Sequence, residues 1–140
     1  MAAIYVSYYK GTQMLMENGN AGTDAWKLCL SNTAPTVATD TTVVGELTTS
    51  NGYTAGGVAL TIASHTLTGG TYNLTLTIPS PTWTSSTGSM GPFRYVILYD
   101  STTSQCVAYW DYGSGLILNG ANGDTFTATV SGAIISITGP

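Results

Sequence analysis

Charge is what this chain has least of: three Lys or Arg and seven Asp or Glu in 140 residues, 7% in all, where soluble domains carry about 25%. Three scattered cations, Lys10, Lys27 and Arg94, with a net charge of −4, cannot neutralise a run of phosphates. Nucleic acid and anionic membrane are therefore expected not to be partners. No apolar run approaches the 18 residues of a membrane-spanning helix. Met1-Ala-Ala-Ile-Tyr-Val-Ser lacks the basic start of a secretory signal, and none is expected. Lack of charge does not mean disorder here, because 43% of residues are hydrophobic and nine Tyr and three Trp are available to fill a core. A secreted domain or a subunit whose surface is covered by other protein both fit. Cysteine is scarce too. Cys29 and Cys106 fall inside predicted strands far apart in sequence, and read as buried free thiols of a protein made in a reducing cytosol, with a disulfide as the alternative.

The strong helix formers Glu, Lys, Arg and Gln are few, while threonine is the commonest residue and 17 glycines punctuate the chain. That composition favours strands and turns. In Thr71-Tyr-Asn-Leu-Thr-Leu-Thr-Ile78 apolar and polar residues alternate without a break, the period of a half-buried strand. Thr125 to Val130 repeats the pattern, as does Val58, Leu60, Ile62. Trp26-Lys-Leu-Cys-Leu30 puts Trp26, Leu28 and Leu30 on one face. Phe93 to Tyr99 and Cys106 to Trp110 are apolar or aromatic on both faces, so they are expected to be central or to lie under a neighbour. Between them Asp100-Ser-Thr-Thr-Ser-Gln105 supplies side chains that bond their own backbone, which predicts an antiparallel hairpin. Ile134 to Ile137 closes the chain. Thr33 to Thr49 reads as a loop with a short strand at Val43-Val44. Gly56-Gly57, Gly69-Gly70, Pro79-Ser-Pro81, Gly113 to Gly115 and Asn119 to Gly123 mark turns. Residues 23–140 are thus expected to form one antiparallel, jelly-roll-like β-sandwich.

Residues 1–22 stand apart. Ile4, Val6 and Tyr8 alternate with Tyr5, Ser7 and Tyr9, and Met14-Leu-Met16 runs into Glu17-Asn-Gly-Asn20. The segment reads either as an edge strand of its own sandwich or as an extended arm donated to a neighbouring subunit.

Catalytic inventory is thin. His65 is the only histidine, placed in the turn-like Ala63-Ser-His-Thr-Leu67, and its neighbour Ser64 has no Gly-x-Ser-x-Gly elbow. Asp100, Asp111 and Asp124 sit near hairpin ends, where aspartates accept backbone hydrogen bonds more often than they act as a glycosidase pair. No zinc cluster, calcium loop or phosphate loop is present. The expectation is a protein without enzymatic activity, cofactor or metal. Asn73-Leu-Thr75, a glycosylation triplet, lies mid-strand and reads as chance.

Taken in order, Asp24-Ala-Trp-Lys-Leu-Cys-Leu30, Asn51-Gly-Tyr-Thr-Ala-Gly-Gly-Val-Ala-Leu60, Thr82-Trp-Thr84 and Arg94-Tyr-Val-Ile-Leu-Tyr-Asp-Ser-Thr-Thr103 resemble stretches of the small β-sandwich virion proteins of tailed bacteriophages. The resemblance covers about residues 8 to 138. It implies a capsid decoration or cement subunit on the virion surface, made in the host cytoplasm, bound to the major capsid protein and commonly trimeric, with no catalytic residues to transfer. A tail or fibre domain that binds host glycan, or a tail or neck connector subunit, is the alternative. Ile4, Tyr5, Val6, Tyr8 and Tyr9, with whichever of Tyr95, Tyr109 and Trp110 faces outward, are the expected protein-contact residues, since buried aromatics anchor interfaces.

Overall fold

A computed structural model describes residues 3–9, 11 and 19–138. The Met14-Leu-Met16 and Glu17 portion of the N-terminal segment lies outside them. The chain is an all-β sandwich of antiparallel sheets. Its strands are β1 (Ile4–Ser7), β2 (Trp26–Ser31), β3 (Val58–Ala59), β4 (Thr61–Thr68), β5 (Thr71–Thr77), β6 (Trp83–Thr84), β7 (Ser89–Asp100), β8 (Gln105–Asn119), β9 (Thr125–Phe126) and β10 (Ile135–Thr138). One layer is a five-stranded sheet in the order β1-β8-β7-β2-β3. Opposite it lie a three-stranded sheet, β10-β5-β4, and the short pair β6-β9.

The main core fills the space between the layers. Trp26, Leu28 and Leu30 of β2 all point into it and are at most 1% exposed. They meet Phe93, Val96 and Leu98 of β7, Leu74 of β5, and Ile134 and Ile135 at the start of β10. Period-two alternation thus placed the dry faces of β2 and β5 on the core, as the sequence indicated. The β7–β8 hairpin is also as expected: its turn is held by Asp100, whose Oδ1 accepts the amides of Thr102 and Thr103.

Both faces of β7 are dry because the sheet carries a second core on its outer side. Tyr8, Tyr95, Ile97 and Cys106 are buried there beneath Val37 and Val43. The cover is the loop that follows β2. Its backbone is tied down where Val37 O accepts the Tyr9 amide at 3.1 Å and Thr41 O accepts the Cys106 amide at 2.7 Å. The Ser31 hydroxyl, fully buried, donates toward the carbonyls of Val44 (2.7 Å) and Gly45 (3.0 Å). The covering neighbour of this strand is therefore a segment of the same chain.

Cys29 and Cys106 are buried free thiols. Burial, with Glu46 near Cys29 and Asp40 near Cys106, pushes each up to about 12, so neither is a reactive thiolate at neutral pH. Glu46 also ties the loop to the sandwich: its Oε1 accepts the Tyr53 hydroxyl and the Gly56 amide, both at 2.6 Å.

Several local expectations need correction. Val43-Val44 is a turn rather than a strand, with Val43 packed on the second core and Val44 in solvent. The ladder expected over Thr125 to Val130 stops at Phe126. Beyond it the Ala128 amide donates to the Thr82 hydroxyl instead of to a strand, although Ala128 and Val130 still pack on the core. Val58, Leu60 and Ile62 do not share one strand, because the chain changes sheets at Leu60: β3 pairs with β2 and β4 with β5. Ala63 to Leu67, read as a turn, lies inside β4. Gly113 to Gly115 does not end a strand. It forms a bulge within β8, where residues 112–115 stand opposite Arg94 alone.

Gly57 is one place where only glycine serves. Its φ is +74°, and a Cβ would run into the Leu28 carbonyl oxygen and the Cys29 sulfur, because the β3 approach passes directly over β2. Gly57→Ala is expected to cost about 1–3 kcal/mol through backbone strain with further loss from the clash, read as a lower urea midpoint at unchanged slope.

Candidate interaction surface

β1 forms the outer edge of the five-stranded sheet, antiparallel to β8, with Ile4 opposite Asp111, Tyr5 opposite Trp110 and Val6 opposite Tyr109. Strand alternation sends these side chains to two different places. Tyr5 turns toward the inner side, its ring edge-on to Trp110 with centroids 5.4 Å apart. On the outer side Tyr8 and Tyr95 each meet the Tyr109 ring edge-on, at 5.9 and 5.8 Å. The Arg94 guanidinium lies 5.3 Å over the Tyr95 ring and grips Asp111 by two hydrogen bonds, of 2.6 and 2.8 Å. That pairing holds the Asp111 carboxyl below its usual range.

This geometry divides the expected contact residues. Tyr8 (1% exposed) and Tyr95 (6%) are buried in the second core. They hold the chain's own cover loop and offer no outward anchor in this arrangement. Val6, Tyr109 and Trp110 are half-buried. Ile4 (66%), Tyr5 (47%) and Tyr9 (68%) are exposed, on or just beyond β1, the outer strand of the sheet among the described residues.

Trp110 also stands between two shallow hollows. One, of about 210 Å³, is lined by Leu28, Val96, Tyr112, Phe126 and Ala128 among others. The second, of about 340 Å³, lies between Tyr5, Val130, Ala133 and Ile134. Both open where the chain after β9 runs unpaired past the β1–β8 edge. The two hollows adjoin through Trp110 and Val130, and the second reaches Tyr5 of the exposed edge strand. The hollows were not legible in the sequence, since Thr125 to Val130 reads there as an ordinary paired strand.

Sequence reasoning also passed over Leu67 (73% exposed) at the β4 tip and Ile117 (60%) on β8. Ile117 had a signal, the outward position between Leu116 and Leu118. His65 is exposed on β4 and lies against Gly22, where an added Cβ would meet its ring within 3 Å. Asp124 Oδ2 accepts the Asn119 amide, and Asp111 Oδ1 accepts that of Gly113, so these turn aspartates are engaged with backbone as their positions suggested. No family model, curated protein or solved structure matches the chain.

Proposed function

We propose that this chain is a non-enzymatic structural protein of a phage virion, a decoration or cement subunit that binds the major capsid protein and stabilises its lattice, assembled as a homotrimer. The observation that carries this reading is the edge strand β1, which sets Ile4 and Tyr5 in solvent with Tyr9 just beyond its end, next to the Trp110 hollows, in a chain with only ten charged residues. Large apolar side chains at an unpaired sheet edge are costly in a free monomer and useful in an assembly. The ordered set of motifs resembling phage sandwich proteins supports the same reading.

A lattice clamp draws its affinity from area at subunit seams, and a stable interface buries about 1,200–2,000 Å². Exposed aromatics at its centre supply most of the energy. The triple variant Ile4→Ser, Tyr5→Ser, Tyr9→Ser removes only exposed side chains and leaves the buried Tyr8 in place. Its occupancy on capsids is expected to fall by about tenfold or more, with the fold intact by circular dichroism. Unchanged occupancy would count against this edge as the contact. Capsids heated with and without the wild-type protein test the role itself: cementing raises the disruption temperature. A copy number of a dozen or fewer per particle would instead indicate a fibre or connector.

A further inference from the structure

Asn-Gly occurs at Asn18-Gly19, Asn51-Gly52, Asn119-Gly120 and Asn122-Gly123; Asn18 lies outside the described residues. At such a pair the backbone nitrogen after the asparagine can attack the side-chain carbonyl carbon, and glycine has no Cβ to obstruct it. The fold decides three things: whether the side-chain amide is free to swing, whether the attacking nitrogen is held by a hydrogen bond, and whether the glycine has room to move.

Two of the described pairs are locked. Asn51 Nδ2 donates to the Ser89 carbonyl at 2.8 Å, and its Oδ1 accepts the Thr87 hydroxyl at 3.4 Å. A Cβ on Gly52 would run into the Thr84 carbonyl oxygen, and one on Gly88 would meet the Asn51 amide itself. Asn119 caps the 3₁₀ turn Gly120–Asn122, its Oδ1 accepting the Ala121 amide at 2.9 Å. The nitrogen that would attack Asn119 is that of Gly120, which donates to the Gly88 carbonyl at 2.8 Å. Gly120 is also pressed against that carbonyl, with no room for a Cβ.

Asn122 differs on each count. It is exposed, as is Gly123, and among the described residues its side-chain amide has no hydrogen-bond partner. No atom stands within 4 Å of the missing Gly123 Cβ. The Gly123 nitrogen is held by one bond, to the Gly120 carbonyl at 3.1 Å, which closes a single turn with no buried residue. A bond of that kind opens easily.

We propose that Asn122 is a site of spontaneous modification, whose reagent is water and whose product is an aspartyl or isoaspartyl residue where the chain enters β9. The Gly123 nitrogen bonds to Asn122 Cγ and the Cγ–Nδ2 bond breaks. Ammonia leaves, carrying the proton that the Gly123 amide gives up. Water then opens the cyclic imide. Cleavage of the new bond between Cγ and the Gly123 nitrogen leaves aspartate in the original backbone. Cleavage of the bond from the Asn122 carbonyl carbon to that nitrogen routes the backbone through the side chain and leaves the α-carboxylate free. Either product adds one negative charge to a chain of net charge −4. The isoaspartyl form also lengthens the backbone by one carbon just before Asp124, whose carbonyl accepts the Ser85 amide at 2.8 Å beside the β6–β9 pair.

The test keeps the wild-type protein folded in mildly alkaline buffer, digests samples at mildly acidic pH to halt the reaction, and maps the peptides by mass spectrometry. Isoaspartate is identified with an isoaspartyl methyltransferase as probe. Asn122 is expected to convert at least about tenfold faster than Asn51 or Asn119, the difference in rate that one hydrogen bond produces. In urea, where nothing protects the other pairs, the rates should draw together, chiefly by acceleration at Asn51 and Asn119. Asn122→Gln should leave position 122 unmodified over the same period, because its longer side chain must close a larger ring. Conversion of Asn51 or Asn119 in the folded protein as fast as that of Asn122 would overturn the assignment. So would an Asn122 rate that rises on unfolding as much as theirs, since the fold would then protect all three alike.

Discussion

Trp26→Ala is expected to lower the unfolding free energy by about 3–5 kcal/mol, a large share of the roughly 5–15 kcal/mol that holds a domain folded. The ring is 1% exposed and opens the apolar face of β2, with Leu28 and Leu30 following it into the main core. Its indole Nε1 donates to the Ala21 carbonyl at 3.0 Å, so the side chain also fixes the turn through which the chain enters β2. Alanine leaves a cavity and an unsatisfied carbonyl together. Trp26→Phe keeps most of the packing and loses the hydrogen bond, and should cost about 1–2 kcal/mol. Equilibrium urea unfolding separates the two, and equal losses would mean that packing around the ring contributes little.

Tyr8→Ala should be nearly as costly, at about 3 kcal/mol or more, for a different reason. Tyr8 packs against Tyr109 and Cys106 on the outer face of the five-stranded sheet. Its amide donates to the Val107 carbonyl at 2.9 Å, and the next amide, that of Tyr9, donates to Val37. One residue thus links β1, β8 and the cover loop. Without its ring Val37 and Val43 lose the surface they sit on. Hydrogen exchange should show faster exchange at the Tyr9 and Cys106 amides, whose acceptors are in the loop, while the amides of β5 remain protected. Uniform loss of protection across both cores would contradict the picture of a separable outer layer.

The parts of the fold legible in the sequence were those where a strand has one wet and one dry face. β2 and β5 announce themselves by alternation, and the β7–β8 hairpin by its double-sided apolar strands around an Asp-Ser-Thr turn. β4 was hidden because seven of its eight residues are exposed, so neither face carries an apolar signal and His65 and its neighbours look like a turn. Thr125 to Val130 misled in the opposite way: alternation reports burial, and burial persists at Ala128 and Val130 after the pairing has stopped. In the candidate contact surface, alternation sets Tyr5 and Tyr8 on opposite faces but does not say which face meets solvent. Only the register of β1 on β8 shows that one reaches solvent and the other the second core.

The β4–β5 hairpin turns at Gly69-Gly70, where both residues have positive φ and no atom stands within 4 Å of either missing Cβ. That tip belongs to neither core cluster. A peptide spliced between the two glycines would lengthen a loop without disturbing packing. Under the decoration role proposed above, the tip is where a foreign epitope could be carried in a regular array.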